Sequence, residues 1–262
     1  MTRIARRQTR EPLHFRIYGP YDGTEPRFYD PEDFPWVEIL RANWRTILAE
    51  VESYRARHGR RLQPIFIPDT ENIDGWSSVN LLSLGLAKPK NQASFPETTR
   101  ITAQIPNLAS VFVKLLEAGA SLPAHNGDSN CMYRCHLGLA VPDGVERCGI
   151  EVGGERAGWT EGDVLVFNDA YEHSVYNETQ RDRIILICDV VKPEYGGPTP
   201  RVCGRVLGTM PVTYLQSRFP AARRLPHAVL RALHGAASMS FALLLRLAQV
   251  RNQLDRPGGL PE

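Results

Sequence analysis

LPAHNGDSNCMYRCHLGLAVPDGVERCGIEVGGERAGWTEGDVLVFNDAYEHSVYNETQRDRIILICD, from Leu122 to Asp189, decides the fold. Four short apolar runs lie in it: Cys135–Val141, Cys148–Val152, Val164–Phe167 and Arg183–Val190. Pro-Asp-Gly, Gly-Gly and Glu-Gly-Asp turn signals separate them, and short strands with such punctuation predict an all-β sandwich or barrel. Two histidines stand at opposite ends of the pattern. His125 lies in a Gly/Asn/Asp-rich stretch before the first run, and His173 follows VLVF by a short acidic loop. A strand, a tight turn, a strand and then a histidine at the mouth is how a jelly roll or cupin presents metal ligands from its inner rim.

Working outward, the chain has 262 residues, 42% apolar and 23% charged, which is ordinary globular composition with room for one large domain and appendages. A net charge of +2 gives no reason to expect nucleic acid as a partner. Five cysteines (Cys131, Cys135, Cys148, Cys188, Cys203) show no CxxC or zinc spacing, so reduced thiols and a cytoplasmic setting are expected. MTRIARRQTR is basic but has no apolar core, so no secretory signal is expected.

Residues 1–23 read as a loosely ordered basic N-terminus, 24–200 as the β domain and 201–262 as a basic helical extension. In FYDPEDFPWVEILRANWRTILAEVESYRARHG, Asp33 can cap and Pro35 suits a first turn. Val37, Leu40, Trp44, Ile47, Leu48 and Val51 then recur at helical spacing. Arg60–Asp74 is a connector or irregular strand, WSSVNLLSLG a strand opened by Gly75-Trp76, Pro-Glu-Thr-Thr a helix start, and Val111–Leu116 a further strand.

Neutral imidazole is the commonest ligand for a redox-active first-row metal, and non-haem iron sites usually add one carboxylate. Two residues after His125, where that carboxylate ordinarily stands, the chain has Gly127. Arg134 and Arg183 lie in or beside strands that read as inward-facing, where an unpaired guanidinium is expensive and a dicarboxylic cosubstrate would satisfy it.

A-H-N-G-D-S-N-C-M-Y-R-C-H-L-G-L from Ala124, W-T-E-G-D-V-L-V-F-N-D-A-Y-E-H-S-V-Y-N from Trp159, and Arg183 closely resemble the aspartyl/asparaginyl β-hydroxylase family of Fe(II)- and 2-oxoglutarate-dependent oxygenases. The likeness continues more weakly through FYDPEDFPW, Gly75-Trp76 and P-E-T-T…I-P-N, and covers roughly residues 28–193. It implies a mainly β, double-stranded β-helix (jelly roll, cupin-like) with packing helices and a helical C-terminal extension.

By position, the resemblance makes His125 and His173 the iron ligands, with solvent in place of a carboxylate at Gly127. Asp128 is the alternative third ligand. Arg183 corresponds to the arginine that grips the distal carboxylate of 2-oxoglutarate, and Trp76, Arg134, Cys135 and His136 to the surrounding cosubstrate site. Lys114 stands where the family commonly has a serine. It either pairs with the cosubstrate or points to solvent from an edge strand. Asn168 replaces an acid of the family pattern. Asp169 either orients His173 or caps its loop.

The implied activity is oxidative hydroxylation of an unactivated C–H bond with Fe(2+), 2-oxoglutarate and O2. The leading substrate is the β-carbon of an Asp/Asn-type residue in a peptide, protein or small molecule. A lipid acyl chain, hydroxylated at a membrane surface, is the variant within the class. A non-catalytic jelly-roll binding module and a cupin-like isomerase remain as other classes. LPHAVLRALHGAASMSFALLLRLAQV, whose uncharged core Ala232–Leu245 is shorter than the ~20 residues of a span, is expected to pack on the domain or a dimer mate. Contact with the inner face of a membrane is the other possibility.

Overall fold

A computed structural model describes residues 12–64, 74–142 and 144–254. Two antiparallel sheets face each other as a double-stranded β-helix. The strands are β1 (Phe28–Tyr29), β2 (Gln63–Pro64), β3 (Trp76–Ser83), β4 (Leu86–Ala87), β5 (Leu108–Leu116), β6 (Ser121–His125), β7 (Met132–Ala140), β8 (Cys148–Val152), β9 (Glu155–Gly158), β10 (Val164–Phe167), β11 (His173–Asn177) and β12 (Arg183–Val191). The larger sheet runs β1-β10-β7-β12-β5-β3-β2 with β4 beside β3, and the smaller runs β6-β11-β8-β9.

Side chains alternate across a strand, so the larger sheet has two faces with different jobs. Its outer face carries Val111, Val113 and Leu115 of β5, Cys135, Leu137 and Leu139 of β7, and Ile184, Leu186 and Cys188 of β12. That face is covered by α1 (Val37–His58), whose Val37, Leu40, Ile47, Val51 and Tyr54 are buried at helical spacing. Each of those aliphatic side chains contributes about 1.5–3 kcal/mol by leaving water. Gly59, at φ 100°, ends the helix by donating its N–H to the Arg55 carbonyl. Asp30 caps the short 3-10 turn Pro31–Asp33, whereas α1 begins after Trp36 without a side-chain cap, so the expected role of Asp33 is not taken up.

The inner face presents the other half of each strand: Phe112 and Lys114 of β5, Arg134 and His136 of β7, and Arg183, Ile185, Ile187 and Asp189 of β12. The ladders set Arg134 opposite Asp189, His136 opposite Ile187 and Lys114 opposite Ile185.

Residues 1–11, part of the expected loose N-terminus, lie outside the described residues. From residue 12 onward the expectation is corrected, because Phe15 and Ile17 are buried and Phe15 bridges to Ser129. Two aromatic or aliphatic side chains in a shared core hold this segment down. That core also contains Met132, Val191, Val206, Val212 and Leu230, so it joins the N-terminal segment to the C-terminal helices.

Two short helices, α2 (Pro89–Gln92) and α3 (Pro96–Thr102), precede β5, and three follow β12: α4 (Pro200–Leu207), α5 (Thr209–Arg218) and α6 (His227–Leu254). α4 lies hard against α6. A Cβ at Gly204 would come within 2.8 Å of the Ala242 nitrogen, and one at Gly208 within 2.5 Å of the Ser238 hydroxyl. His234 of α6 is buried between the Arg205 carbonyl (2.7 Å) and the Tyr18 hydroxyl (2.8 Å). All five cysteines are buried and free.

Candidate active site

His125 ends β6 and His173 begins β11, and the two are direct cross-strand partners. The sequence set His125 in the Gly/Asn/Asp-rich stretch before the first apolar run and His173 just after a short acidic loop. Their place in a ladder fixes their backbones together, and the ring centroids stand 4.2 Å apart. Each imidazole makes the same local bond. His125 Nδ1 lies 2.9 Å from the Pro123 carbonyl, and His173 Nδ1 lies 2.9 Å from the Tyr171 carbonyl. A carbonyl can only accept, so Nδ1 carries the proton and Nε2 the lone pair. Burial, aided by Arg134 and by the other histidine's proximity, holds His173 well below its ordinary pKa; burial, then Arg134, Arg16 and Lys114, lowers His125. Both rings are therefore neutral donors at neutral pH. This is the state that a cation requires.

Gly127 explains why the ordinary carboxylate is missing. A Cβ there would lie 2.3 Å from Asp169 Oδ2 and 2.8 Å from the Asp169 carbonyl, to which the Gly127 N–H donates at 2.7 Å. Asp128, the alternative third ligand, lines the neighbouring cavity with His125 and is engaged by Arg16, at 3.5 Å through its side chain and through the Arg16 N–H, which donates to the Asp128 carbonyl. The N-terminal segment holds this loop further through Ser129 and Asn130. Among the described residues, no group of three or more His, Cys, Asp or Glu side chains converges as a metal cluster.

A cavity of about 210 Å³ adjoins the histidine pair, lined by Trp76, Lys114, Arg134, His136 and Arg183, with Phe112, Leu122, Val175, Ile185 and Ile187 as its apolar wall. Arg183 is 2% exposed, its guanidinium lies 4.5 Å above the Trp159 ring, and its Nε and Nη1 have no hydrogen-bond partner. Burial pulls its pKa down to about 10. Both nitrogens of His136 are likewise buried and unpartnered, between Trp159 and Phe167. Buried polar atoms in native proteins are almost always paired, so this group of orphaned donors is suited to receive an anion.

Lys114 sits on β5, a central strand, with its ammonium 4.5 Å above the Trp76 ring. The edge-strand alternative is thereby corrected. Burial, then Arg134, lowers its pKa to about 7.

Two further expectations need correction. Cys135 points to the opposite face of β7, into the core under α1, because neighbours on a strand alternate; it cannot touch a ligand in this cavity. Arg134 already has protein carboxylates. Its Nε and Nη2 donate to Asp189 at 2.7 and 3.1 Å, and its Nη1 pairs with Asp169 at 2.8 Å. Arg134 thus lines the cavity without a charge left to satisfy. Asp169 carries out neither expected role with its side chain, which faces Arg134. Its backbone carbonyl accepts from the Gly127 N–H.

Sequence reasoning missed Asp189 and Trp159 as working residues. Asp189 could have been found, since it continues the alternation Arg183, Ile185, Ile187.

A second cavity of about 370 Å³ shares Trp76, Phe112, Leu122, His125 and Arg134 with the first and runs outward to the C-terminal helices. Leu84, Met132, Val206, Leu207 and Met210 supply most of its apolar wall, while Arg16 and Asp128 stand at its side.

Fold and site together define a double-stranded β-helix with a histidine pair beside a cavity that holds unpartnered Arg183 and His136 nitrogens. Residues 41–193 match the Aspartyl/Asparaginyl beta-hydroxylase family, and the chain belongs to it. Among its relatives are an ornithine lipid ester-linked acyl 2-hydroxylase of Rhizobium tropici, 34% identical over 64% of this chain and 61% of the relative. Another is the human aspartyl/asparaginyl beta-hydroxylase, 28% identical over 64% of this chain and 23% of the relative. The chain thus spans less than two thirds of the length of these relatives. A Pseudomonas putida prolyl-4-hydroxylase structure overlays with a TM-score of 0.41, at 18% identity, over 58% of this chain and 88% of its own, a likeness too slight to argue from.

Proposed function

We propose that this chain is an Fe(II)- and 2-oxoglutarate-dependent hydroxylase whose substrate is the acyl chain of a lipid. The observation that carries the reading is the pairing of two neutral imidazoles, each with Nδ1 anchored and Nε2 free, with the partnerless guanidinium of Arg183 in one cavity. His125 and His173 would hold the iron. Arg183 would take the distal carboxylate of 2-oxoglutarate, with Lys114, His136 and Trp76 around it. When bound, iron and 2-oxoglutarate supply the oxidation: one atom of O2 enters a C–H bond and the other enters succinate as CO2 leaves.

The chain's own residues do three things. Nδ1 bonds to backbone carbonyls keep both imidazoles aimed and neutral. Arg183, clamped over Trp159, fixes one end of the cosubstrate so that its other end meets the histidines. Phe112, Leu122, Val175, Ile185 and Ile187 exclude water from the reacting bond.

For the substrate, the acyl chain takes precedence over an Asp or Asn side chain. The second cavity touches His125 and leads away along Leu84, Met132, Val206, Leu207 and Met210, a wall suited to methylenes. The ornithine lipid acyl hydroxylase among the relatives supports the same choice. A non-catalytic module would have no use for a buried, unpaired guanidinium beside two metal-ready imidazoles.

The test uses the full chain with Fe(II), 2-oxoglutarate and oxygen, offered ester-acylated lipids and, separately, Asp- and Asn-containing peptides. The reading expects one added oxygen on an acyl chain, with matching succinate. Oxygen added only to peptides would restore the Asp/Asn reading.

A further inference from the structure

α6 has two faces that need different surroundings. Leu230, His234, Ser238 and Leu245, at four- and seven-residue intervals, are buried against α4 and the N-terminal segment. Val229, Leu233, Leu243, Leu244 and Leu247 fall on the opposite side at helical spacing and are exposed, with Leu243, Leu244 and Leu247 each at 58–59%. Met239 is 71% exposed. A row of large apolar side chains this long is not left to water without a partner surface.

The charge around it identifies the partner. From Arg201 to Leu254 the chain has eight arginines and neither Asp nor Glu, so the modest total of +2 conceals a strongly cationic C-terminal segment on a net acidic remainder. Arg201, Arg205, Arg218, Arg223, Arg224, Arg231 and Arg246 are all exposed. A second copy of this chain would bring the same cationic segment against itself. An anionic lipid surface takes both the leucines and the arginines.

With Arg231 and Arg246 included, His227–Gln249 is long and apolar enough to cross a membrane, while its uncharged core Ala232–Leu245 is shorter than a span. Spanning would strip α6 from α4, where Gly204 and Gly208 bring the two backbones together, and would bury Arg231 and Arg246. Lying on the surface keeps both contacts. The acyl cavity also opens toward this region: Met210 of α5 lines it and is itself 46% exposed, with Tyr214 one turn on also exposed.

We infer that the arginine-flanked apolar face of α6 docks in the plane of an anionic lipid bilayer and brings the cavity mouth at Met210 to the source of acyl chains. The inference rests on the acyl-chain reading for its purpose, though its physics is independent of any turnover. Flotation of the full chain with phosphatidylglycerol vesicles and with phosphatidylcholine vesicles tests it. The protein should float with the first, at least about ten-fold less with the second, and be released by high salt or by M239E/L243E/L247E. Substrate-free conversion of 2-oxoglutarate to succinate should be unchanged in that variant. Three results overturn the inference: no flotation, resistance to alkaline carbonate as for a spanning helix, or a dimer in sedimentation that the same variant dissociates. Flotation without acyl hydroxylation would sink the substrate reading and leave the docking surface standing.

Discussion

Asp189 stands directly across the β7–β12 ladder from Arg134 and accepts both Nε and Nη2 of its guanidinium, at 2.7 and 3.1 Å. The bidentate pair sits on the inner face of the larger sheet, with Asp169 closing on Nη1 from the loop before His173. Burial opposes the Arg134 charge, but Asp169 and Asp189 outweigh it and raise the guanidinium pKa. The triad ties the sheet to the loop that delivers His173. Asp189→Asn should cost about 1–3 kcal/mol, because Arg134 loses charge-assisted bonds but keeps Asp169 as a counter-charge. Arg134→Met with Asp189→Leu should cost clearly less than the two single changes summed, measured by urea denaturation. Simple additivity would show that the pair is not a coupled unit.

Arg183 predicts an unusual sign. Its guanidinium is buried with Nε and Nη1 unpaired, so Arg183→Met should leave the ligand-free protein as stable or about 1–3 kcal/mol more stable. The wild type, in contrast, should gain thermal stability with rising 2-oxoglutarate and the variant should not. A variant that is less stable but still responds to 2-oxoglutarate would make Arg183 a structural residue.

Lys114 gives a pH signature. Burial first, then Arg134, depress its pKa to about 7, while Asp189 works in the other direction. An unfolded lysine titrates near ~10.4, so between about 7 and that value the unfolded chain holds the extra proton. Stability from this group is therefore present in full above the unfolded value and is lost as pH falls to about 7. Lys114→Met should remove that slope from a plot of unfolding free energy against pH. An unchanged slope would mean that the ammonium is solvated.

Gly127→Asp tests whether a carboxylate can be restored beside His125. Its Cβ would meet Asp169 Oδ2 at 2.3 Å and the Asp169 carbonyl at 2.8 Å, so the change should destabilise by roughly 2 kcal/mol or more. Metal affinity should not improve. Tighter Fe(II) or Co(II) binding in calorimetry, with stability intact, would contradict the packing argument.

Loss of either imidazole should be felt at the metal rather than the fold. His125→Ala and His173→Ala should each weaken Co(II) binding at least about ten-fold. Far-ultraviolet circular dichroism should remain that of the parent, because the β6–β11 ladder bonds through the backbone. Equal affinity in both variants would place the metal elsewhere.

Alternation and turn residues by themselves determined most of the sheet. β8 and β10 begin and end where the apolar runs do, and α1 follows the spacing of Val37, Leu40, Ile47 and Val51, because short-range periodicity decides which face of an element avoids water. The family resemblance implied that the two histidines, Arg183 and Trp76 share a site, and all four line one cavity. Pairing across the fold was not legible. That Arg134 is neutralised by Asp189 and Asp169, that Cys135 lies behind the sheet, and that Phe15 bridges to Ser129 in the loop after His125 follow from strand register and long-range burial. So does the exposure of Leu243, Leu244 and Leu247: the sequence marks them as apolar, but only the packing of α6 on α4 decides which side of the helix is left facing outward.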